Sequence, residues 1–150
     1  MVPDFSTATL GSLFLSSFLA STLLPGGSEA VLVGLAAASA APPASLLIVA
    51  TVGNTLGGMT SWGIGRWLRY RYPGRALSGE GAQRALKWTE RNGGPILLLA
   101  WLPVIGDPLC LAAGWLRIHP VPAMLYIAIG KAARYGILLA AVDAVLRANG

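Results

Sequence analysis

Between Phe5 and Gly65 the chain carries one formal charge. Residues 5–28 have none, and neither do the 36 residues from Ala30 to Gly65, with Glu29 alone between them. A soluble domain, in which about a quarter of residues are charged, does not leave such runs; they give room for several membrane spans of about 20 residues. The rest of the composition agrees: 55% hydrophobic, 11% charged, with a mean hydropathy of +0.64. Inside lipid every backbone N–H and C=O must find a partner within the protein, which leaves helices as the economical solution for so short a chain. The sequence therefore predicts an all-α integral membrane protein, residues 1–150 forming one small membrane domain.

The apolar runs are broken in a repeated way. LLPGGSE (Leu23 to Glu29) follows the helix-length run 5–24, and WLPVIGD (Trp101 to Asp107) follows the uncharged run from Ile96; each has proline third and an acid four places later. Proline lacks an N–H and paired glycines favour non-helical backbone, so Pro25, Gly26 and Gly27 stop one helix, and Pro103 and Gly106 stop the other. The pieces that follow, Ala30 to Ala41 and PLCLAAGWL, are too short to cross a bilayer. Each pair of broken segments predicts a re-entrant hairpin, tolerated at membrane depth where protein or a watery cavity satisfies the freed backbone groups. A full crossing follows each hairpin: Ser45 to Gly65, with Gly53, Gly57, Ser61 and Gly65 at the small-xxx-small spacing of close helix contacts, and Val121 to Val142. Pro25 aligns with Pro103, Glu29 with Asp107, Gly53-Asn54 with Gly130-Lys131, and Arg66 with Asp143. Each half, about residues 5–66 and 93–143, crosses once, so the two must be inverted relative to each other, as in transporters that build a midplane site from broken helices.

Seven of the eleven Lys/Arg residues lie between Arg66 and Arg91. This positive-inside pattern marks residues 66–91 as a cytoplasmic loop and accounts for the net charge of +5 without nucleic acid. Within it, Ser78 to Arg91 gathers Arg84, Lys87 and Arg91 on one helical face and Ala82, Ala85 and Leu86 on the other. The pattern fits an amphipathic helix in the interface, or equally a solvated surface helix. Ala38-Ser39-Ala40 resembles a signal-peptide cleavage site, but no Lys or Arg precedes Arg66, so the N-terminal run reads as mature structure. One cysteine, Cys110, and one histidine, His119, make no zinc set and no internal disulfide. Cys110 reads as a small buried apolar residue, His119 as a headgroup contact or a proton relay, and the five tryptophans as packing and interface anchors.

The last crossing carries Lys131 and Arg134 near its middle, three residues apart and so on neighbouring positions of one face. On insertion scales the two together cost roughly 5 to 7 kcal/mol, which calls for partners. Glu29 and Asp107 are the acids of the apolar segments, one at each break, and Asn54 lies beside the glycine stripe. This neutral set reads either as structural ion pairs that dock the hairpins or as a hydrated cavity that binds a lipid phosphate or a proton, because intramembrane ionisable residues usually mark a pathway.

SSFLASTLLPGGSEAVLVG, GNTLGGMTSWGIGRWL, WLPVIGDPLCLAAGWLRI and GKAARYG together resemble the DedA superfamily, also called VTT or SNARE-associated proteins, and its short YqaA-like branch. The resemblance covers about residues 16 to 136. It implies a bacterial inner-membrane protein with two facing re-entrant hairpins, in a superfamily associated with moving phospholipids or the polyprenyl-phosphate carrier between leaflets, with proton coupling suggested for some members. It places the acid of the first hairpin at Glu29. Typical members carry two arginines that would fall at Ala100 and Gly106, and an aspartate that would fall at Gly58; all three charges are missing here.

The leading expectation is a lipid flippase or scramblase in which Lys131 and Arg134 attract the phosphate while Glu29 and Asp107 bind protons or pair with the bases. The alternatives are a proton-coupled transporter of a small solute and a non-transporting scaffold for membrane assembly. No GxSxG or HExxH motif is present, so no enzyme, cofactor or metal is expected; the expected partners are membrane lipids and protons.

Overall fold

The computed structural model describes residues 5–22, 27–38, 41–75, 77–102 and 105–150, and every regular element among them is helical. In order they are α1 (Phe5–Thr22), α2 (Gly27–Ala37), α3 (Pro43–Arg71), α4 (Glu80–Asn92), a 3-10 helix (Gly94–Trp101), α5 (Gly106–Trp115) and α6 (Pro120–Asn149). Three of the expected break residues, Pro25, Gly26 and Pro103, lie outside the described residues. The other two, Gly27 and Gly106, open α2 and α5.

Both long helices run further than the apolar runs that predict them. α3 has 29 residues, about 44 Å at 1.5 Å per residue, and continues past Arg66 until Pro73 ends it, Tyr72 closing the last turn on the Leu68 carbonyl. α6 has 30 residues and is long and apolar enough to cross a membrane. Proline stands in the first turn of each, where its missing N–H has no intrahelical partner to lose. His119 caps α6, its Nδ1 accepting from the Val121 N–H at 3.3 Å, so the histidine has a local structural task. At the other end of α5, Arg117 takes a left-handed φ of 60°. There the Arg117 N–H bonds Gly114 O and the Ile118 N–H bonds Ala113 O, the paired closure of a Schellman motif. Trp62 Nε1 then donates to Ile118 O at 3.1 Å, pinning this corner to α3.

The 3-10 helix is eight residues long, more than such helices usually reach, and at 2.0 Å per residue it spans about 16 Å where an α-helix would span about 12 Å. That extra reach lets a short arm run alongside α6.

The packing crosses over between the halves. α1 lies on α3 and the 3-10 helix lies on α6, whereas α2 lies on α6 and α5 on α3; α3 and α6 also touch each other. Glycines set these approaches. A Cβ at Gly53 would sit 2.7 Å from the Phe14 carbonyl oxygen of α1, and one at Gly130 would overlap the Leu98 carbonyl of the 3-10 helix. Between α3 and α5, side chains at Gly65 and Gly114 would overlap the carbonyls of Leu111 and Trp62. Two cores result. Leu13, Leu32, Leu46, Ala50 and Tyr135 join the first half to α6. Leu97, Leu109, Cys110, Ala113 and Ile127 form the heart of the second. α4 adds Ala85 to the second core, with Leu86 and Trp88 packed beside it, while Arg84, Lys87 and Arg91 stay exposed. The apolar edge of this amphipathic helix packs on α5 and the 3-10 helix.

Candidate functional site

α6 supplies the site's centre because its polar residues fall on two adjacent stripes. Ile127, Lys131 and Tyr135, spaced by four, are all buried, and Arg134 lies a step round the helix, partly exposed. The expected single cluster of charges is thus arranged as two neighbouring sites.

The inner site is closed. Lys131 is 4% exposed, and its Nζ donates to the Asn54 backbone oxygen at 3.1 Å and to Asn54 Oδ1. Gly58, one turn along α3, faces the same spot: a Cβ there would stand 3.5 Å from Lys131 Nζ and 3.4 Å from Cys110 Sγ, in ordinary contact. An ammonium donates only, so the Asn54 amide turns its oxygen to Lys131 and its nitrogen away. That nitrogen donates to the Tyr135 hydroxyl at 2.8 Å and to Ser17 O at 3.2 Å. The Tyr135 hydroxyl, which accepts from Asn54, also shares a hydrogen bond of 2.9 Å with the Ser28 hydroxyl. Asp107, in the first turn of α5, acts electrostatically on Lys131 and Cys110. One ammonium thereby ties α3 to α6, and the network reaches α1 through Ser17 and α2 through Ser28.

The outer site is open. Arg134 donates through NH1 to the Trp101 carbonyl at 2.7 Å and pairs through NH2 with the Glu29 carboxylate. The two side chains are 25% and 28% exposed. They floor a groove of about 440 Å³ whose other walls are Trp101, Ala133, Ile137 and Leu138. Ile137 is 70% exposed, so the groove is open at the outer surface of α6, with Glu29 of α2 and Trp101 of the 3-10 helix among its walls. Glu29 and Asp107 both stand in the first turn of a helix, where the partial positive charge of the helix terminus favours a carboxylate. That explains chemically why each break is followed at a fixed distance by an acid.

All five expected polar residues, Glu29, Asn54, Asp107, Lys131 and Arg134, therefore lie in or beside these two sites. Tyr135, Ser28 and the Trp101 carbonyl are further members. Tyr135 falls four residues after Lys131, the spacing that marks a shared face; the carbonyl leaves no trace in the sequence. Two of the three positions where a DedA pattern would place charges, Ala100 and Gly106, are tightly packed here. Ala100 is 4% exposed in the core, and any side chain at Gly106 would overlap the Ala100 carbonyl.

The VTT domain model matches residues 24–144, a span that contains both sites. The chain is 45% identical over 133 residues to the inner membrane protein YqaA of Escherichia coli, covering 89% of this chain and 90% of that one. This chain belongs to the VTT-domain (DedA) family. Another relative of this VTT-domain chain, in Haemophilus influenzae, is 40% identical over 144 residues, covering 91% of this chain and 89% of that protein. No solved structure matches it. The family assignment carries membrane character with it, and the two polar sites are what this VTT-domain chain places inside that frame.

Proposed function

We propose that this chain is a multi-pass protein of the bacterial inner membrane that moves a lipid bearing a phosphate, a phospholipid or a polyprenyl-phosphate carrier, between leaflets. The observation that carries this reading is the open groove on α6 with an Arg134–Glu29 pair on an otherwise apolar wall. A vestibule for a water-soluble solute needs polar walls and an aqueous mouth; a lipid needs a polar foothold reached from the hydrocarbon side. In this reading a phosphate exchanges with Glu29 for one edge of the Arg134 guanidinium while the other edge stays on the Trp101 carbonyl. Protonation of Glu29 favours that exchange by releasing the arginine, which gives proton coupling a physical route.

The topology belongs to the same proposal. The two halves are inverted repeats, with residues 66–91 cytoplasmic and both termini on the opposite side. The crossed packing supports it, since each first arm lies on its own crossing helix and each second arm on the other's. So does the pairing at the centre. The aligned glycines Gly53 and Gly130 each receive a carbonyl from their own half's first arm, and the aligned neighbours Asn54 and Lys131 bond to each other, as residues flanking a pseudo-two-fold axis would.

Translocation of a fluorescent phospholipid, and of polyprenyl phosphate, in liposomes containing the purified protein tests the reading. Transport that falls with Arg134→Gln and Glu29→Ala is expected; transport equal to protein-free liposomes sinks it. The scaffold reading draws support from the inner site, whose bonded network has the character of a structural clamp.

A further inference from the structure

The groove at Arg134 is one end of a longer feature. It shares Leu138 with a second hollow of about 350 Å³ between α2 and α6, walled by Val33 and Ala37 on one side and Ala141 and Val142 on the other. That hollow shares Val142 and Leu146 with a third, of about 440 Å³, which holds Asp143 and Arg147 near Pro43. The three adjoin through these shared residues and make up a trough that winds along α6, charged at both ends and apolar between. Asp143 and Arg147 pair at 2.9 Å, with side chains 59% and 80% exposed.

The dimensions match one leaflet. From Asp143 to Arg134 is nine residues, about 14 Å of helix, against about 15 Å for half of a 30 Å hydrocarbon layer. The charged pair at the end of α6 thus stands at headgroup level when Arg134 stands near the midplane. A water-soluble ligand gains nothing from the apolar middle of the trough, whereas a hydrocarbon chain that starts at the interface and descends fills it.

We propose that this trough is a lipid-binding site that takes one chain of a phospholipid from the leaflet at the C-terminal end of α6. The phosphate rests on Arg147, and the chain lies between α2 and α6 with its end near Leu138. Resting on the lipid-transport reading, the site is a loading station from which the head moves along the trough to Arg134. Arg147 is suited to the task because its ion pair with Asp143 is exposed, and exposed pairs exchange partners at little energetic cost.

The test uses the full chain reconstituted with phosphatidylglycerol carrying a diazirine at the terminal carbon of one chain. After irradiation, labelled peptides are mapped and translocation is measured in the same vesicles. Label concentrated on Val33, Leu138 and Ala141 supports the site; label spread equally over Leu125 and Ile129, exposed elsewhere on α6, overturns it. Ala141→Trp, which fills the trough from an exposed position, is expected to cut labelling about tenfold, the effect of displacing some two methylenes from contact. Unchanged labelling in that variant refutes the proposal, and the wild-type label map decides it should the variant fail to fold. Label in the trough without translocation keeps the site and sinks transport. Translocation with scattered label does the reverse.

Discussion

Removing the Asn54 side chain is the sharpest test of how the two long helices, α3 and α6, are joined. Asn54→Ala deletes one acceptor from a buried ammonium and two neutral donations, to the Tyr135 hydroxyl and the Ser17 carbonyl. A hydrogen bond to a charged group contributes roughly 1.5 to 3 kcal/mol, and side-chain bonds between membrane helices average about 0.6 kcal/mol each. The expected loss is therefore about 3 to 4 kcal/mol, a fall of about 6 to 15 °C in the unfolding midpoint for a chain of this size. The assay is thermal unfolding of purified protein in one detergent, followed by loss of the monodisperse species. The double variant Asn54→Leu with Lys131→Met carries the argument further. It removes donor and acceptor together, and replacing both partners by apolar groups of similar shape is close to neutral. The double variant should recover most of the loss, so that its cost falls well short of the sum of the two single changes. If Asn54→Ala shifts the midpoint no more than a surface substitution does, or if the two changes simply add, the ammonium is not held as described.

Gly114→Ala should separate α5 from α3 and cost roughly 1 to 3 kcal/mol by overpacking, because its Cβ would overlap the Trp62 carbonyl. Gly58→Ala, whose Cβ would meet no atom closer than 3.2 Å, should cost less, and the two midpoints compared in one detergent check the ranking. Arg117→Gly should stabilise by about 0.5 to 1 kcal/mol by relieving a left-handed backbone, read as a raised unfolding midpoint. Tyr135→Phe should cost about 1 kcal/mol for its two hydroxyl contacts and should raise proteolysis within α2, since Ser28 loses its tie to α6.

Much of this organisation is legible in the sequence, for reasons that differ by element. The apolar runs, the glycine stripe of α3 and the Gly-Pro stops act locally, so the helices appear close to where the pattern places them. Their ends do not. Hydropathy reports where an apolar run meets charge, at Arg66 and after Val142, whereas the helices continue to Arg71 and Asn149 because no proline interrupts α3 before Pro73 and none interrupts α6 after its first turn. The four charges of the apolar segments are visible because charge is expensive in such surroundings, yet their pairing is not. Lys131 and Arg134 are about 60° apart around α6, and only the neighbours decide that one turns toward Asn54 and the other toward Glu29. A reading based on charge alone expects Lys131 to need a carboxylate. It does have Asp107 in electrostatic range, and the hydrogen bonds described above run to the amide and backbone of Asn54.

The split between the two sites separates structure from transport in a way that charge counting does not. If Lys131 serves mainly to join α3 to α6, then Lys131→Met with Asn54→Leu should leave lipid translocation near the wild-type rate, because the groove keeps Arg134, Glu29 and the Trp101 carbonyl. Arg134→Gln should fold, since the side chain sits at a partly exposed groove and its loss leaves Glu29 free to take up a proton, yet it should abolish phosphate-dependent transport. Liposome translocation of both variants, normalised to the amount of protein that inserts, decides between them. Transport lost in the first variant and kept in the second would put the working charge at Lys131 and assign the Arg134–Glu29 pair to assembly.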